Sequence, residues 1–444
     1  MKIHAIGGYN EVGKNMTALE IGSDVIIFDA GLYLPPIVEL EEKEKLDIYN
    51  EHTLRDMKAI PDDIVLDKKG LTKNVRAMLI SHAHLDHVGA VPYLEHRYNA
   101  EIVGTPFTME VLHELRKEGI KIRNKLRYVH PNAQYIVRGK KNYPVEFINI
   151  THSTLQTALI AVQTDEGYVV YANDFKLDNN PVIGKKPNYD AMKRIAQKGV
   201  KVLIMESLYA ANPGKTPSER IARNLLEDVL LSTANDNSLI IVTTFSSHIA
   251  RLKSIVEFGK RLNRKIIFLG RSLNKYVNAA IRVNLCSFHK DMHMFVFRNQ
   301  VNSILKKINK NKKDYLIVCT GHQGEPGSVL DRIAKRETPL ILSDRDNIIF
   351  SSKVIPAEIN IANRTMLEKR LKRNGVRIFD EGHVSGHGSR EDLRDFIDLL
   401  QPEHIIPAHG DMKKLSSLID LAAEMGYKYG KNCHMLQNGE HVVL

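Results

Sequence analysis

Residues 79–92 read LISHAHLDHVGAVP, and the aliphatic run Ala77-Met78-Leu79-Ile80 leads straight into them. A short apolar run bounded by polar residues reads as a buried strand. Side chains alternate along a strand, so His82 and His84 leave its end facing the same way. Asp86 and His87 follow on a turn into VGAVPYLEHRY, which reads as a helix. Two co-facing imidazoles beside a carboxylate–imidazole pair can serve two different cations, so the cluster reads as half of a two-metal site. One histidine at a strand end is ordinarily a surface residue; three histidines and an aspartate packed into HAHLDH are not. Imidazole nitrogen with carboxylate oxygen suits zinc. Further ligands must come from elsewhere, and His152 in THST, Asp174 in NDFK and His409 in PAHGD each follow an apolar run.

The chain has 444 residues, too many for one ordinary core, so two domains are expected. No run approaches the ~18 uninterrupted apolar residues of a membrane span. The start, MKIHAIGGYN, lacks the pattern of a secretory signal. Cys286, Cys319 and Cys433 are few and scattered, which fits free thiols and a cytoplasmic location, and leaves metal binding to His and carboxylate. Net charge is +11, and residues 206–375 hold 29 Lys and Arg against 15 Asp and Glu. The rest of the chain holds 34 against 37, so the basic excess lies in the middle segment and points to a polyanionic partner.

Short aliphatic runs ending in polar residues recur from SDVIIFDAG (23–31) to EHIIPAHGD (403–411). The first 205 residues read mostly as strands with few helices. After Glu206 strand and helix alternate, as expected of a βαβ insert with parallel strands. There TPSERIARNLLEDVLL (216–231) reads as a helix with Thr216 as N-cap, Pro217 in its first turn and Glu219 closing a capping box. KKINKNKKD (306–314) reads as a solvated connector, and ELEEKEKLD (39–47) as a solvated loop or helix face.

HAHLDH, with Asp29 in DAG, His152 and Asp174, resembles the metallo-β-lactamase fold. AIGGYNEVGKNMTALEI, TFSSHIARL, FLGRSLNKY, CTGHQGEPGSVLDRIA and HVSGHG are similar to landmarks of the RNase J group of β-CASP ribonucleases. Length and layout resemble the archaeal form, which ends after the nuclease core. The resemblance implies an α/β chain: an αββα metallo-β-lactamase sandwich (1–205 and 376–444) carrying a β-CASP insert (206–375), a parallel sheet flanked by helices. It implies one zinc on His82, His84 and His152, and a second on Asp86, His87 and His409. Asp174 would bridge the two zinc ions of each chain, with Mn2+ or Mg2+ as alternatives, and Asp29 would orient a ligand. His387 is the candidate proton donor and Glu206 its tuning partner; Asp86 and Asp29 are counted with them as catalytic.

The expected activity is hydrolysis of single-stranded RNA, 5′ to 3′, from a 5′-monophosphate. A basic insert closing over the metal-bearing face would form a channel for the strand. Loops at Ser246-Ser247-His248, Arg271-Ser272 and Gly321–Ser328 suit a terminal phosphate. Ser385, Gly386 and His387 complete the expected substrate-binding set. A homodimer is what the resemblance suggests. An endoribonuclease of the same fold is the alternative; a non-catalytic RNA-binding scaffold and a small-molecule hydrolase such as a thioesterase fit less well, since every ligand position is filled and a basic insert would lack a purpose.

Overall fold

A computed structural model describes residues 1–41, 50–117, 120–233, 237–355, 358–380 and 383–444, and residues 42–47 of the acidic stretch lie outside them. Among the described residues the chain forms two compact units, one of Met1–Ile37, 50–217 and Ser385–Leu444, the other of Ser218–Val384. The first unit opens with β1 (Lys2–Gly7), β2 (Met16–Ile21), β3 (Asp24–Phe28), β4 (Val75–Ile80), β5 (Glu101–Gly104) and β6 (Leu126–Tyr128). It continues with β7 (Gln134–Arg138), β8 (Asn142–Asn149), β9 (Ala158–Thr164), β10 (Gly167–Ala172) and β11 (Val200–Glu206). The second unit holds β12 (Ile240–Thr243), β13 (Lys265–Leu269), β14 (Met292–Phe295), β15 (Tyr315–Cys319), β16 (Asn347–Phe350) and β17 (Arg377–Phe379). The chain then returns to the first unit as β18 (His404–Ala408) and β19 (His441–Val443).

In the first unit the strands make two sheets, ordered β19-β1-β2-β3-β4-β5-β6 and β18-β11-β10-β9-β8-β7. Alternate residues of both sheets, among them Phe28, Leu79, Phe147, Ile160, Tyr171 and Ile406, face each other in one apolar layer. The opposite faces are covered by helices: Leu66, Val91 and Leu112 pack on the first sheet, Met192, Phe396 and Leu418 on the second. This is an αββα sandwich. Strands β3 to β6 run parallel, as do β10, β11 and β18, which brings the ends of β3, β4, β10, β11 and β18 into use for one site.

The second unit is built on a fully parallel sheet, β14-β13-β15-β12-β16-β17. Helices Ile249–Arg261 and Arg271–Arg282 begin directly after β12 and β13. The alternation expected after Glu206 is therefore present.

Several local expectations are corrected. The first 205 residues contain seven α-helices as well as eleven strands among the described residues. VGAVPYLEHRY is not one helix: Leu85–Val88 and Val91–Leu94 are separate turns, followed by a 3-10 turn at Glu95–Arg97. The helix over 216–231 begins at Glu219 with Ser218 as its cap; Thr216 instead gives its hydroxyl proton to the His387 carbonyl (2.7 Å). In KKINKNKKD the first three residues complete the helix Arg298–Ile308. The compact units divide at 217/218 and 384/385, where β17 pairs with β16 and Ser207 donates to the Ala408 carbonyl (2.9 Å).

Candidate metal centre

Strand ends deliver the site. His82 and His84 follow β4, His152 follows β8, Asp174 follows β10 and His409 follows β18. Asp29, Asp174 and His409 sit in the left-handed backbone region, with φ of 57, 63 and 52°. Such angles cost a non-glycine residue roughly 1 kcal/mol each and persist where surrounding structure fixes them.

Ring and carboxylate atoms converge on two points. His84 Nδ1 lies 3.2 Å from His82 Nε2 and 3.1 Å from His152 Nε2, while Asp174 Oδ2 is 3.4 Å from His82 Nε2 and 3.6 Å from His152 Nε2. The second group joins His87 Nε2 to Asp174 Oδ2 at 3.2 Å and to Asp86 Oδ2 at 3.7 Å. His409 Nε2 completes it, 3.5 Å from Asp174 Oδ1 and 3.8 Å from Asp86 Oδ2. Asp174 belongs to both.

The outward nitrogens explain the inward ones. His87 Nδ1 meets Asp29 Oδ2 (2.7 Å), His152 Nδ1 the Gly386 carbonyl (2.6 Å) and His409 Nδ1 Asn15 Oδ1 (2.9 Å). His82 Nδ1 meets Ser81 Oγ (3.0 Å), which itself donates to Asp29 Oδ2 (2.8 Å). His84 Nε2 reaches Ser153 Oγ (3.4 Å). Each outer nitrogen thus carries its proton toward an acceptor, and each inner nitrogen is left with a lone pair. Lone pairs aimed together do not satisfy one another; the Asn15 amide reaches His87 Nε2 (3.1 Å) and Ser153 Oγ reaches His152 Nε2 (3.3 Å), while Asp174 Oδ1 is buried with no hydrogen-bond partner. A tetrahedron of nitrogen and oxygen ligands 2.0–2.1 Å from zinc has edges of ~3.3 Å, close to the spacing of the first group. The donor sets therefore fit divalent cations.

Electrostatics agree for four of the five rings; burial opposes charge on His87, but Asp174, Asp86 and Asp29 outweigh it and hold that imidazole well above its ordinary value in the cation-free chain. Burial holds the imidazoles of His82, His84 and His152 below their ordinary value, and His409 falls to about 4. Neutral imidazole is the ligating form. Burial opposes ionisation of Asp174, yet His409, His87 and His387 outweigh it and hold the carboxyl well below its usual range.

Beside this centre His387 Nδ1 lies 2.6 Å from Glu206 Oε2 and 3.9 Å from Asp174 Oδ1. Glu206 is fully buried, and its other oxygen accepts the Phe175 N–H (2.6 Å). Burial works against the charge on His387, but Glu206 and Asp174 outweigh it and raise the imidazole to about 9.

Ser385 and Gly386 wall the centre: Ser385 Oγ accepts the His387 N–H (3.0 Å), and a Cβ on Gly386 would lie 3.0 Å from the His152 ring. In the second unit Ser246, Ser247, His248, Arg271 and Gly321 all follow strand ends of the parallel sheet. His248 caps the helix Ile249–Arg261 and meets Glu219 (3.3 Å), and a Cβ at Gly321 would strike Ser328 Oγ at 2.7 Å, so both have structural work there. His322 is buried with neither ring nitrogen hydrogen-bonded.

Two contributors escaped the sequence reading. Asn15, fully buried, accepts from His409 and donates to the Asp86 carbonyl (3.0 Å). Ser81 links Asp29 to His82. Ser81 lies inside the diagnostic stretch; Asn15 sits in a glycine-rich loop whose only signal was its place in GYNEVGKNM.

Known proteins carry the same parts in the same order. Residues 9–235 match the metallo-beta-lactamase superfamily, 237–368 the ribonuclease J beta-CASP domain, and 375–436 the Zn-dependent metallo-hydrolase RNA specificity domain. Ribonuclease J of Methanocaldococcus jannaschii is 44% identical over 99% of this chain and 98% of its own length. Ribonuclease J of Pyrococcus abyssi is 42% identical over 100% of this chain and 97% of its own. A solved structure from Enterococcus faecalis V583, a protein of unknown function, shares the fold over 100% of this chain and 99% of its own, with a TM-score of 0.66 at 17% identity. A two-sheet sandwich with histidines and aspartates gathered at its strand ends, interrupted by a parallel-sheet insert, places the chain in the ribonuclease J family of metallo-β-lactamase-fold, β-CASP-containing proteins.

Proposed function

We propose that the protein is a metal-dependent ribonuclease that degrades single-stranded RNA from a 5′-monophosphate in the 5′ to 3′ direction, in the cytoplasm. The observation that carries the reading is the pair of donor groups sharing Asp174, with the Glu206–His387 pair beside them. His82, His84 and His152 would hold one zinc ion and Asp86, His87 and His409 the other. Bound there, divalent ions acidify water and offset charge developing on a phosphodiester.

The chain's own groups do the rest. Asp29, Ser81, Asn15 and the Gly386 carbonyl fix ring orientation and tautomer, so that the ligand lone pairs need no reorganisation. Glu206 accepts the Nδ1 proton of His387, which leaves Nε2–H to be given to the departing 3′ oxygen. A ring raised to about 9 is charged at neutral pH and holds that proton. Its value falls when ligation neutralises Asp174, toward the range where a general acid works best.

Support for the 5′ end comes from the insert. Its loops lie at the carboxyl ends of parallel strands, where α/β sheets bind ligands. The His322 ring, buried there with neither nitrogen hydrogen-bonded, is a polar group suited to a ligand oxygen.

The test is digestion of RNA labelled at its 5′ end, bearing monophosphate or hydroxyl. Mononucleotide release with faster decay of the monophosphate is expected. Discrete internal fragments would establish the endonucleolytic alternative instead, and equal decay of both ends would remove the phosphate pocket.

A further inference from the structure

One charged surface of the first unit is used by none of the groups above. Residues 121–142, KIRNKLRYVHPNAQYIVRGKKN, contain seven Lys and Arg and no Asp or Glu. Outside them and outside 206–375, the chain holds 27 basic against 37 acidic residues. A local excess of +7 thus stands on a body of net −10. The segment runs from β6 to β7, the terminal strands of the two sheets, and closes one side of the sandwich.

Its backbone is pinned while its cations are not. The buried Glu95 carboxylate accepts the N–H groups of Arg123 (3.0 Å) and Asn124 (2.8 Å), and the Asn124 amide returns to the carbonyls of Glu95 and Tyr98 (2.8 Å each). At the other end buried Asp24 accepts the Lys140 N–H (2.7 Å). Lys121, Arg123, Lys125, Arg138 and Lys140 are all exposed, and none forms an ion pair among the described residues. Arg127 and Lys141 pair with Glu101 and Asp165.

An aromatic group lies among them. Tyr128 is 43% exposed, its ring is backed by His113 at 6.1 Å and 22°, and its hydroxyl is fixed to Glu110 (3.1 Å). Tyr128 shares a ladder rung with Gly104 and Ile80, the residue two before His82. Two strand spacings put it about 10 Å across the sheet from the end that carries the metal ligands. Free cations on a fixed backbone beside a backed, half-exposed ring make a stacking platform with phosphate contacts, the chemistry that holds single strands without sequence preference.

We propose that this edge is a second binding surface for single-stranded RNA, outside the metal centre; this rests on the ribonuclease reading. The test compares two metal-loaded full-length proteins, both carrying His387→Ala so that RNA is held rather than degraded. One additionally carries Lys121→Gln, Arg123→Gln, Lys125→Gln, Arg138→Gln and Lys140→Gln. Anisotropy with a labelled 25-nucleotide RNA is read across a salt series, and melting temperatures check the fold.

Each phosphate contact on a single strand contributes ~0.7 to the slope of log K against log salt, so the slope should fall by roughly 2–3. Affinity near 0.1 M salt should drop at least tenfold, and Tyr128→Ala alone should cost roughly fivefold or more. Equal affinity and slope in the two proteins would overturn the proposal and leave an acidic protein as the occupant of the edge. Failure of the parent protein to bind RNA at all would instead overturn the ribonuclease reading.

Discussion

Asn15 shows how much of a metal centre rests on residues outside the donor groups. Its amide oxygen fixes the tautomer of His409, and its amide nitrogen holds the carbonyl of Asp86 and reaches His87 Nε2 (3.1 Å), so one side chain touches all three residues peculiar to the second group. Asn15→Leu removes these three contacts and is expected to weaken cation binding there by 10–100-fold, as loss of such partners ordinarily does. Metal analysis after graded chelation should then show one cation retained by His82, His84 and His152 and the other released early. Simultaneous release of both would contradict the division into two groups. His387 makes a separate prediction: His387→Ala should lower the cleavage rate by about 10²–10⁴-fold with metal content unchanged, because it moves a proton rather than holding a cation. Glu206→Gln should lower the pH at which activity declines on the alkaline side, since the charge that raises His387 is gone. At this scale HAHLDH was legible because chemistry is crowded into one strand end. Asn15 and Ser81 were not, because an amide and a hydroxyl are common in loops and only the assembled geometry shows what they orient.

Elements were legible where periodicity was long. The parallel strands of the insert and its helices of eleven or more residues follow the reading, whereas the four- to eight-residue helices of the first 205 residues are too short to show a period. Thr216 failed as a cap because tertiary bonding to His387 claimed its hydroxyl, and Ser218 took the role. The same coupling of element to site makes Gly31 sensitive. A Cβ there would lie 1.6 Å from the Asp86 carbonyl oxygen and 2.8 Å from the His87 N–H nitrogen. Gly31→Ala should cost about 1–3 kcal/mol in urea unfolding and release the second cation first, by pushing the Leu85–Val88 turn outward. In the insert, Arg251 is fully buried and bonded to Glu219 through Nε (2.7 Å) and Nη2 (2.9 Å). Burial opposes charge on Glu219, but Arg251 and His248 hold its carboxyl well below the usual range. Its contribution is therefore present above about pH 4.5 and lost as pH falls through the depressed value. Glu219→Gln leaves the buried guanidinium bonded to Ser351 but without its counter-charge and should cost about 3–5 kcal/mol at pH 7, read as an earlier calorimetric transition.

Across the whole molecule the charge distribution was readable from composition, while the pairing of β17 with β16 was not, since β17 looks like any other short run in the sequence. The more demanding property at this scale is the dependence of stability on protons and cations together. In the metal-free chain, burial lowers His82, His84, His152 and His409, so the unfolded state takes up protons that the folded state refuses. Stability from these groups is present above about pH 6.5 and lost below it. His409, at about 4, is worth on the order of 3 kcal/mol of this. His87 and His387 act in the opposite sense: Asp174, Asp86 and Asp29 hold His87 well above its ordinary value, and His387, raised to about 9, adds stability that is full below about 6.5 and lost as pH rises through 9. Cations bound only by the folded chain, at a thousandfold excess over their dissociation constant, add about 4 kcal/mol. Chelation at pH 7.5 should therefore lower the melting temperature of the first unit by roughly 10 °C. Protons compete with cations for the same lone pairs, so the gap between loaded and chelated protein should close as pH falls toward 5. Calorimetry over pH 5–8, with and without chelator, reads both effects; a gap independent of pH would mean that the cations stabilise the chain somewhere other than on these imidazoles.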